Sequence, residues 1–125
     1  MTRINVVPVQ ELHYKHLVAE YRELPRIFSL VRKGQGKKKW NIPKEYVLGT
    51  GHVTFLYDKL GWLVKRYEAL TKEMRARGYH PTPIPSNELL EGIAERYRGD
   101  WTVTEASLAL NRERIKERLD TMKKH

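Results

Sequence analysis

The sequence contains no cysteine, which excludes disulfides, thiolate metal sites and a cysteine nucleophile. It has no run of about 18 apolar residues, so no stretch suits a bilayer-spanning helix. The opening MTRINVVPVQEL lacks the apolar region and small-residue cleavage site of a secretory signal, and an intracellular, cytoplasmic address is expected. No alternation strong enough to define a strand occurs, nor any internal repeat or low-complexity tract. Ser-His-acid and Cys-His constellations cannot be assembled from the spacing. The GTGH stretch at residues 49–52 lies at an expected helix start, but it lacks the lysine and spacing of a phosphate-binding Walker loop.

What is present is positive charge. The 24 Lys and Arg outnumber the 15 Asp and Glu, leaving a formal charge of +9 on 125 residues. A chain of this length fits one domain, here residues 1–125. The excess of cations suits a polyanion, and nucleic acid fits because neutralised phosphates release their counterions. Anionic lipid headgroups are the alternative.

Helical periodicity dominates. From Val9 to Leu24, Tyr14, Leu17, Val18, Tyr21 and Leu24 share one face, and Leu12, Lys15, His16, Ala19, Arg22 and Glu23 the other. Pro25 is expected to end or kink this helix, with IFSLVRK as a short further piece. GQGKKKWNIP, residues 34–43, reads as a flexible basic loop. Val53, Leu56, Tyr57, Leu60, Val64, Tyr67, Leu70 and Met74 predict one long helix capped by Gly78. The alternate prolines 81, 83 and 85 make an extended connector before Ser86 caps a short helix. Thr102 and Glu105 have capping-box spacing ahead of a third long helix, which has Leu108, Ile115 and Leu119 on its apolar side and Arg112, Arg114, Lys116 and Arg118 on the others. The fold class is therefore all-α.

Two histidines three apart, His13 and His16, beside Glu20 fall short of a zinc motif, and no metal or other cofactor is expected. Three nucleophiles remain: a lysine, a carboxylate and the terminal α-amine. The amine has a reference pKa of about 7.7–8.0 against about 10.4 for lysine, so more of it is neutral near pH 7. Nearby arginines would lower it further by like charge, and Arg3 is adjacent in sequence. Thr2 is small enough to permit removal of Met1. The cluster Arg22, Glu23 and Arg26 around Pro25 has two readings: solvated helical ion pairs worth a few tenths of a kcal/mol each, about 0.3, or an acid held among cations for chemistry. Tyr21 beside it reads as core packing.

Four blocks, MTRINVV, EYRELPR, LGTGHVTFLYDKL and RGDWTVTEASLAL, in order and across nearly the whole chain, together resemble the phage-type endonuclease V, the pyrimidine-dimer DNA glycosylase family. The resemblance implies a compact all-α monomer of about three main helices with its N-terminal segment threaded between them. It implies action on cyclobutane pyrimidine dimers in damaged double-stranded DNA, without metal, cofactor or membrane. Thr2 would supply an α-amino nucleophile that attacks C1′, releases the base and forms an imine, and β-elimination would then nick the strand. Glu23 would be the acid/base carboxylate, a role suited by Arg3, Arg22 and Arg26 around it. Arg3, Lys15, His16, Arg22, Arg26, Arg114 and Arg118 would grip the DNA backbone, with an adenine opposite the lesion flipped out. The same imine chemistry on other lesions or abasic sites is the alternative, and with Met1 retained, a non-catalytic DNA-binding module. Three departures stand out: Lys15 replaces a glutamine of the phage enzyme, the basic loop after Lys33 is shorter, and the sequence ends at TMKKH where that enzyme continues into an aromatic, basic tail.

Overall fold

The structure, a computed structural model, describes residues 4–37 and 39–123. It is helical, with no strand among the described residues: α1 spans Tyr14–Gly34, α2 His52–Phe55, α3 Leu60–Ala76, α4 Ser86–Leu90 and α5 Glu105–Lys123, with 3-10 turns at Val9–Glu11 and Glu95–Tyr97.

Helix α1 begins later and ends later than its periodicity predicts. The chain around Val9 forms only a 3-10 turn, and His13 caps α1 by accepting the Lys15 N–H on Nδ1 at 3.2 Å. Pro25 neither ends the helix nor separates a second piece, because α1 runs through it to Gly34. Proline removes one helical hydrogen bond. Burial of Leu24, Ile27, Phe28 and Val31 on both sides of Pro25 holds the helical path, since tertiary packing supplies most of a helix's stability. The buried face is also turned from the one expected. Leu17, Glu20, Leu24, Ile27, Phe28 and Val31 face the core, whereas Tyr14 is 50% exposed and Val18 and Tyr21 are half-buried.

The long helix expected over residues 52–77 is two helices. Between them, Lys59 has non-helical φ −123° and ψ 35°, and its ammonium donates to the Phe55 carbonyl at 2.9 Å and to Asp58 at 2.8 Å. The turn at residues 98–99 packs into this break. Gly99 donates its N–H to the Asp58 carbonyl, and its own carbonyl accepts the Trp62 N–H, each at 3.2 Å. One of the unpaired N–H groups at the start of α3 is thereby satisfied. Only glycine permits this approach: a Cβ on Gly61 would lie 2.6 Å from the Arg98 carbonyl oxygen, and one on Gly99 2.5 Å from that of Asp58.

At its other end α3 closes as predicted. Gly78 has φ 92°, its N–H bonds the Arg75 carbonyl, and the Tyr79 N–H bonds the Met74 carbonyl, the double bond of a glycine-terminated helix. Ser86 is the first residue of α4 rather than its cap. At the other end of α4, Arg32 of α1 donates to the carbonyls of Glu88, Leu89 and Glu91. The capping box of α5 lies two residues beyond the predicted start: Thr104 Oγ1 accepts the Ser107 N–H at 3.1 Å, and Ser107 Oγ accepts the Thr104 N–H at 3.0 Å. Leu108 and Ile115 of α5 are only partly buried against the core, and the positions it buries are Ser107 and Asn111. Helix α5 therefore docks largely through polar groups.

Candidate active site

Residues 4–7 lie buried with no helix or strand of their own, and buried backbone polar groups need partners. Side chains from four helices and one loop supply them. The Ile4 N–H bonds His52 Nε2 at 2.9 Å, and the Ile4 carbonyl accepts from the Tyr46 hydroxyl at 3.1 Å. Glu20 Oε1 accepts the Asn5 N–H at 3.2 Å and Asn5 Nδ2 at 2.9 Å. Asn111 Oδ1 takes the N–H groups of Val6 and Val7 at 2.7 and 3.2 Å, while Asn111 Nδ2 donates to Asn5 Oδ1 at 2.8 Å. Arg66 NH1 donates to the Val7 carbonyl. The N-terminal segment is thus threaded among α1, α2, α3 and α5, as the resemblance implies.

The centre of this network is an ion pair with no exposed surface on its acid. Arg66 Nε lies 2.7 Å from Glu20 Oε2 and NH2 lies 3.2 Å from Oε1, with the two side chains 7% and 0% exposed. In the sequence Glu20 stands with His13 and His16 as a weak metal constellation. Its oxygens instead serve Arg66 and Asn5, and no group of three His, Asp or Glu able to hold a metal occurs among the described residues.

One turn further along α1 is Glu23. Its side chain is 28% exposed, and Oε2 accepts from Arg26 NH1 at 2.9 Å. Oε1 has no hydrogen-bond partner among the described residues. Among the described residues only this pair of the expected cluster forms: Arg22 is exposed with no ion pair, and Arg26 itself is 67% exposed. Lys15 is exposed and His16 half-buried on the same side of α1. The Tyr21 ring stacks on Tyr67 at 5.2 Å between centroids. Burial, then the hydrogen bond with Tyr67, pushes the Tyr21 phenol up to about 12, so it stays neutral near pH 7 and acts in packing.

Among the described residues, Arg114 and Arg118 make no hydrogen bond or ion pair with this cluster. Arg114 Nε pairs with Glu117 at 3.3 Å within α5, and Arg118 is exposed with no ion pair among the described residues. Thr2 and Arg3, expected as nucleophile and DNA contact, lie outside the described residues. Sequence reasoning missed Asn5, Arg66 and Asn111 and gave Glu20 no anchoring role. A signal for two of them was present, since Glu20 and Arg66 stand at positions where the helical period would place apolar residues.

The described residues thus form an all-α frame with a buried, side-chain-anchored segment at residues 4–7 and the Glu23–Arg26 pair one turn along α1 from Glu20. The model of the pyrimidine dimer DNA glycosylase family matches residues 1–85, and the chain belongs to that family. DNA is accordingly the substrate its family implies, and excision at pyrimidine dimers the activity. The match takes in Glu20, Glu23, Arg26, His52 and Arg66, whereas α5, with Asn111, Arg114 and Arg118, lies beyond it. Among the described residues no helix is long and apolar enough to cross a membrane.

Proposed function

We propose that the chain is a DNA glycosylase with associated abasic-site lyase activity on cyclobutane pyrimidine dimers in duplex DNA, working through the Thr2 α-amine. The neutral amine attacks C1′ of the damaged nucleotide as the glycosidic bond breaks, and the departing pyrimidine leaves with the bonding electrons. Ring opening gives an imine between the amine nitrogen and C1′. Loss of the C2′ proton then expels the 3′ phosphate, nicking the strand. Glu23 manages the protons on the sugar and stabilises its developing positive charge. Its Oε1, with no hydrogen-bond partner among the described residues, suits that role.

The observation that carries this reading is the anchoring of Asn5 on Glu20, one helical turn from Glu23. A turn of helix rises about 5 Å, and three residues of extended chain reach about 10 Å. A residue 2 amine is therefore within range of the Glu23 carboxylate.

Lys15, His16, Arg22 and Arg26 on the open face of α1 are the phosphate-gripping groups, with Arg3, Arg114 and Arg118 as further contacts. Beside them a groove of about 680 Å³ lined by Pro25, Arg26, Ser29 and Ile84 has room for an extruded base. The decisive experiment is borohydride trapping on dimer-containing and abasic duplexes. A covalent adduct on both is expected, with Glu23→Gln abolishing glycosylase turnover while sparing binding. Failure of processed protein lacking Met1 to crosslink would remove the imine, and unchanged turnover in Glu23→Gln would remove Glu23 from its role.

A further inference from the structure

The GTGH stretch that resembles no phosphate loop has a different use here. Gly49 and Gly51 both adopt left-handed φ, 81° and 89°, and the tight turn they make delivers His52 at the first position of α2. The His52 ring is buried between two backbone groups of opposite kind: Nδ1 lies 2.8 Å from the Val47 carbonyl oxygen and Nε2 lies 2.9 Å from the Ile4 nitrogen. A carbonyl can only accept and a peptide N–H can only donate. One tautomer satisfies both, with the proton on Nδ1 and the lone pair on Nε2. The other side of Ile4 is held as well, because the Tyr46 hydroxyl donates to its carbonyl at 3.1 Å. The two rings meet edge to face at 5.4 Å, and Trp101 stacks on Tyr46 at 6.2 Å, so neither can swing away without disturbing the aromatic cluster.

From this geometry we propose that His52 and Tyr46 are positioning residues: they clamp both polar groups of Ile4 and so set the register of the N-terminal amine against the deoxyribose. The proposal rests on the imine reading above. Neither side chain takes part in the covalent step. Their effect is on the alignment of a nucleophile two residues along the chain, where a displacement of about 1 Å can cost about 10²-fold in rate. The Glu20 and Asn111 contacts hold residues 5–7, and among the described residues the side-chain hydrogen bonds to Ile4 come from this pair alone.

The test compares Tyr46→Phe, which removes one hydroxyl, His52→Ala, which removes the acceptor, and His52→Gln, whose side-chain oxygen can accept the Ile4 N–H again. Met74→Ala, a core truncation in α3 away from the clamp, controls for lost stability. Three quantities are read: the single-turnover rate of borohydride trapping on an abasic duplex, affinity for an uncleavable abasic-analogue duplex, and hydrogen exchange of the Ile4 amide. Tyr46→Phe and His52→Ala are expected to slow trapping by about 10²-fold with affinity unchanged. Ile4 exchange should accelerate in His52→Ala and be restored, together with most of the rate, in His52→Gln. Met74→Ala should leave the trapping rate near that of the parent. Parent-like trapping in both clamp variants would overturn the proposal, as would slowing that Met74→Ala matches at equal loss of melting temperature. If the parent protein itself forms no adduct, the imine reading fails, and unaltered Ile4 exchange in His52→Ala would then overturn the clamp on its own terms.

Discussion

Replacing Arg66 by methionine keeps most of the stem volume and removes the guanidinium. The Glu20 carboxylate, with no exposed surface, then loses bonds of 2.7 and 3.2 Å and keeps, among the described residues, those from Asn5, while the Val7 carbonyl loses its Arg66 donor. Removing one partner of a buried ion pair typically costs about 3–5 kcal/mol, because an uncompensated charge stays behind. Against a total stability of about 5–15 kcal/mol for an ordinary domain, that is a large fraction. For a chain of this size each kcal/mol corresponds to about 4 °C, so Arg66→Met should melt about 12–20 °C lower.

The double variant Glu20→Leu, Arg66→Met separates stability from function. Apolar replacement of a buried pair often restores stability, and much of the melting temperature should return. The Asn5 N–H and the Val7 carbonyl have still lost their partners, so residues 4–7 are held less firmly. Borohydride trapping on an abasic duplex should stay slow in the double variant although it is folded. Denaturant unfolding, thermal melting and single-turnover trapping on the same samples decide the matter. A single variant melting within about 4 °C of the parent, or a double variant trapping at the parental rate, would refute the view that this pair anchors the N-terminal segment.

Gly61→Ala should destabilise by about 1–3 kcal/mol, as an overpacked contact does, because its Cβ meets two backbone carbonyls. Helix propensity alone predicts the opposite sign, about 1 kcal/mol of stabilisation, so the direction of the shift in denaturant midpoint is the test. Glu11 accepts from Arg112 of α5 at 2.8 Å, and that hydrogen bond holds its carboxyl below the usual value. A depressed folded value contributes stability that is present above the unfolded pKa and lost as pH falls through the folded one. Glu11→Gln should accordingly flatten part of the acid limb of a melting-temperature profile below about pH 4.5, and an unchanged limb would exclude the pair. Arg22→Ala should weaken binding to damaged and undamaged duplex alike and reduce the slope of log K against log salt by about 0.9, the value for one phosphate contact. A loss confined to damaged DNA would assign Arg22 to lesion reading instead.

The open face of α1 was legible because Lys15, His16, Arg22, Glu23 and Arg26 are charged or polar groups at helical spacing, and solvent takes such a face by default. The same logic hid Glu20. An acid reads as surface even where the helical period sets it between Leu17 and Leu24, and Arg66, 46 residues later in sequence, makes its burial tolerable. Tyr14 erred in the other direction, counted as core for its ring and found half exposed. The unbroken helix over residues 52–77 failed for a related reason. Its apolar spacing carries on across the break, and what interrupts it is the backbone of Gly99, a contact invisible to any local window.

These misses share a physical origin that bears on function. A nucleophile at the start of a chain is covalently tied on one side only, and fixing each backbone residue there costs about 1–2 kcal/mol of conformational entropy. Helix formation cannot meet that cost, since residues 4–7 precede the first helical turn, and no strand lies alongside them among the described residues. What remains is to satisfy their N–H groups with side chains of elements already ordered by apolar packing: Glu20 on α1, His52 on α2 and Asn111 on α5, with Arg66 of α3 holding Glu20 and the Val7 carbonyl. Each of these is a polar group in a place where a purely stabilising core would hold a hydrocarbon. An acid, an amide, an imidazole and a guanidinium buried around residues 4–7, with Glu23 one turn away, form the arrangement that the proposed terminal-amine nucleophile would require and that stability alone does not.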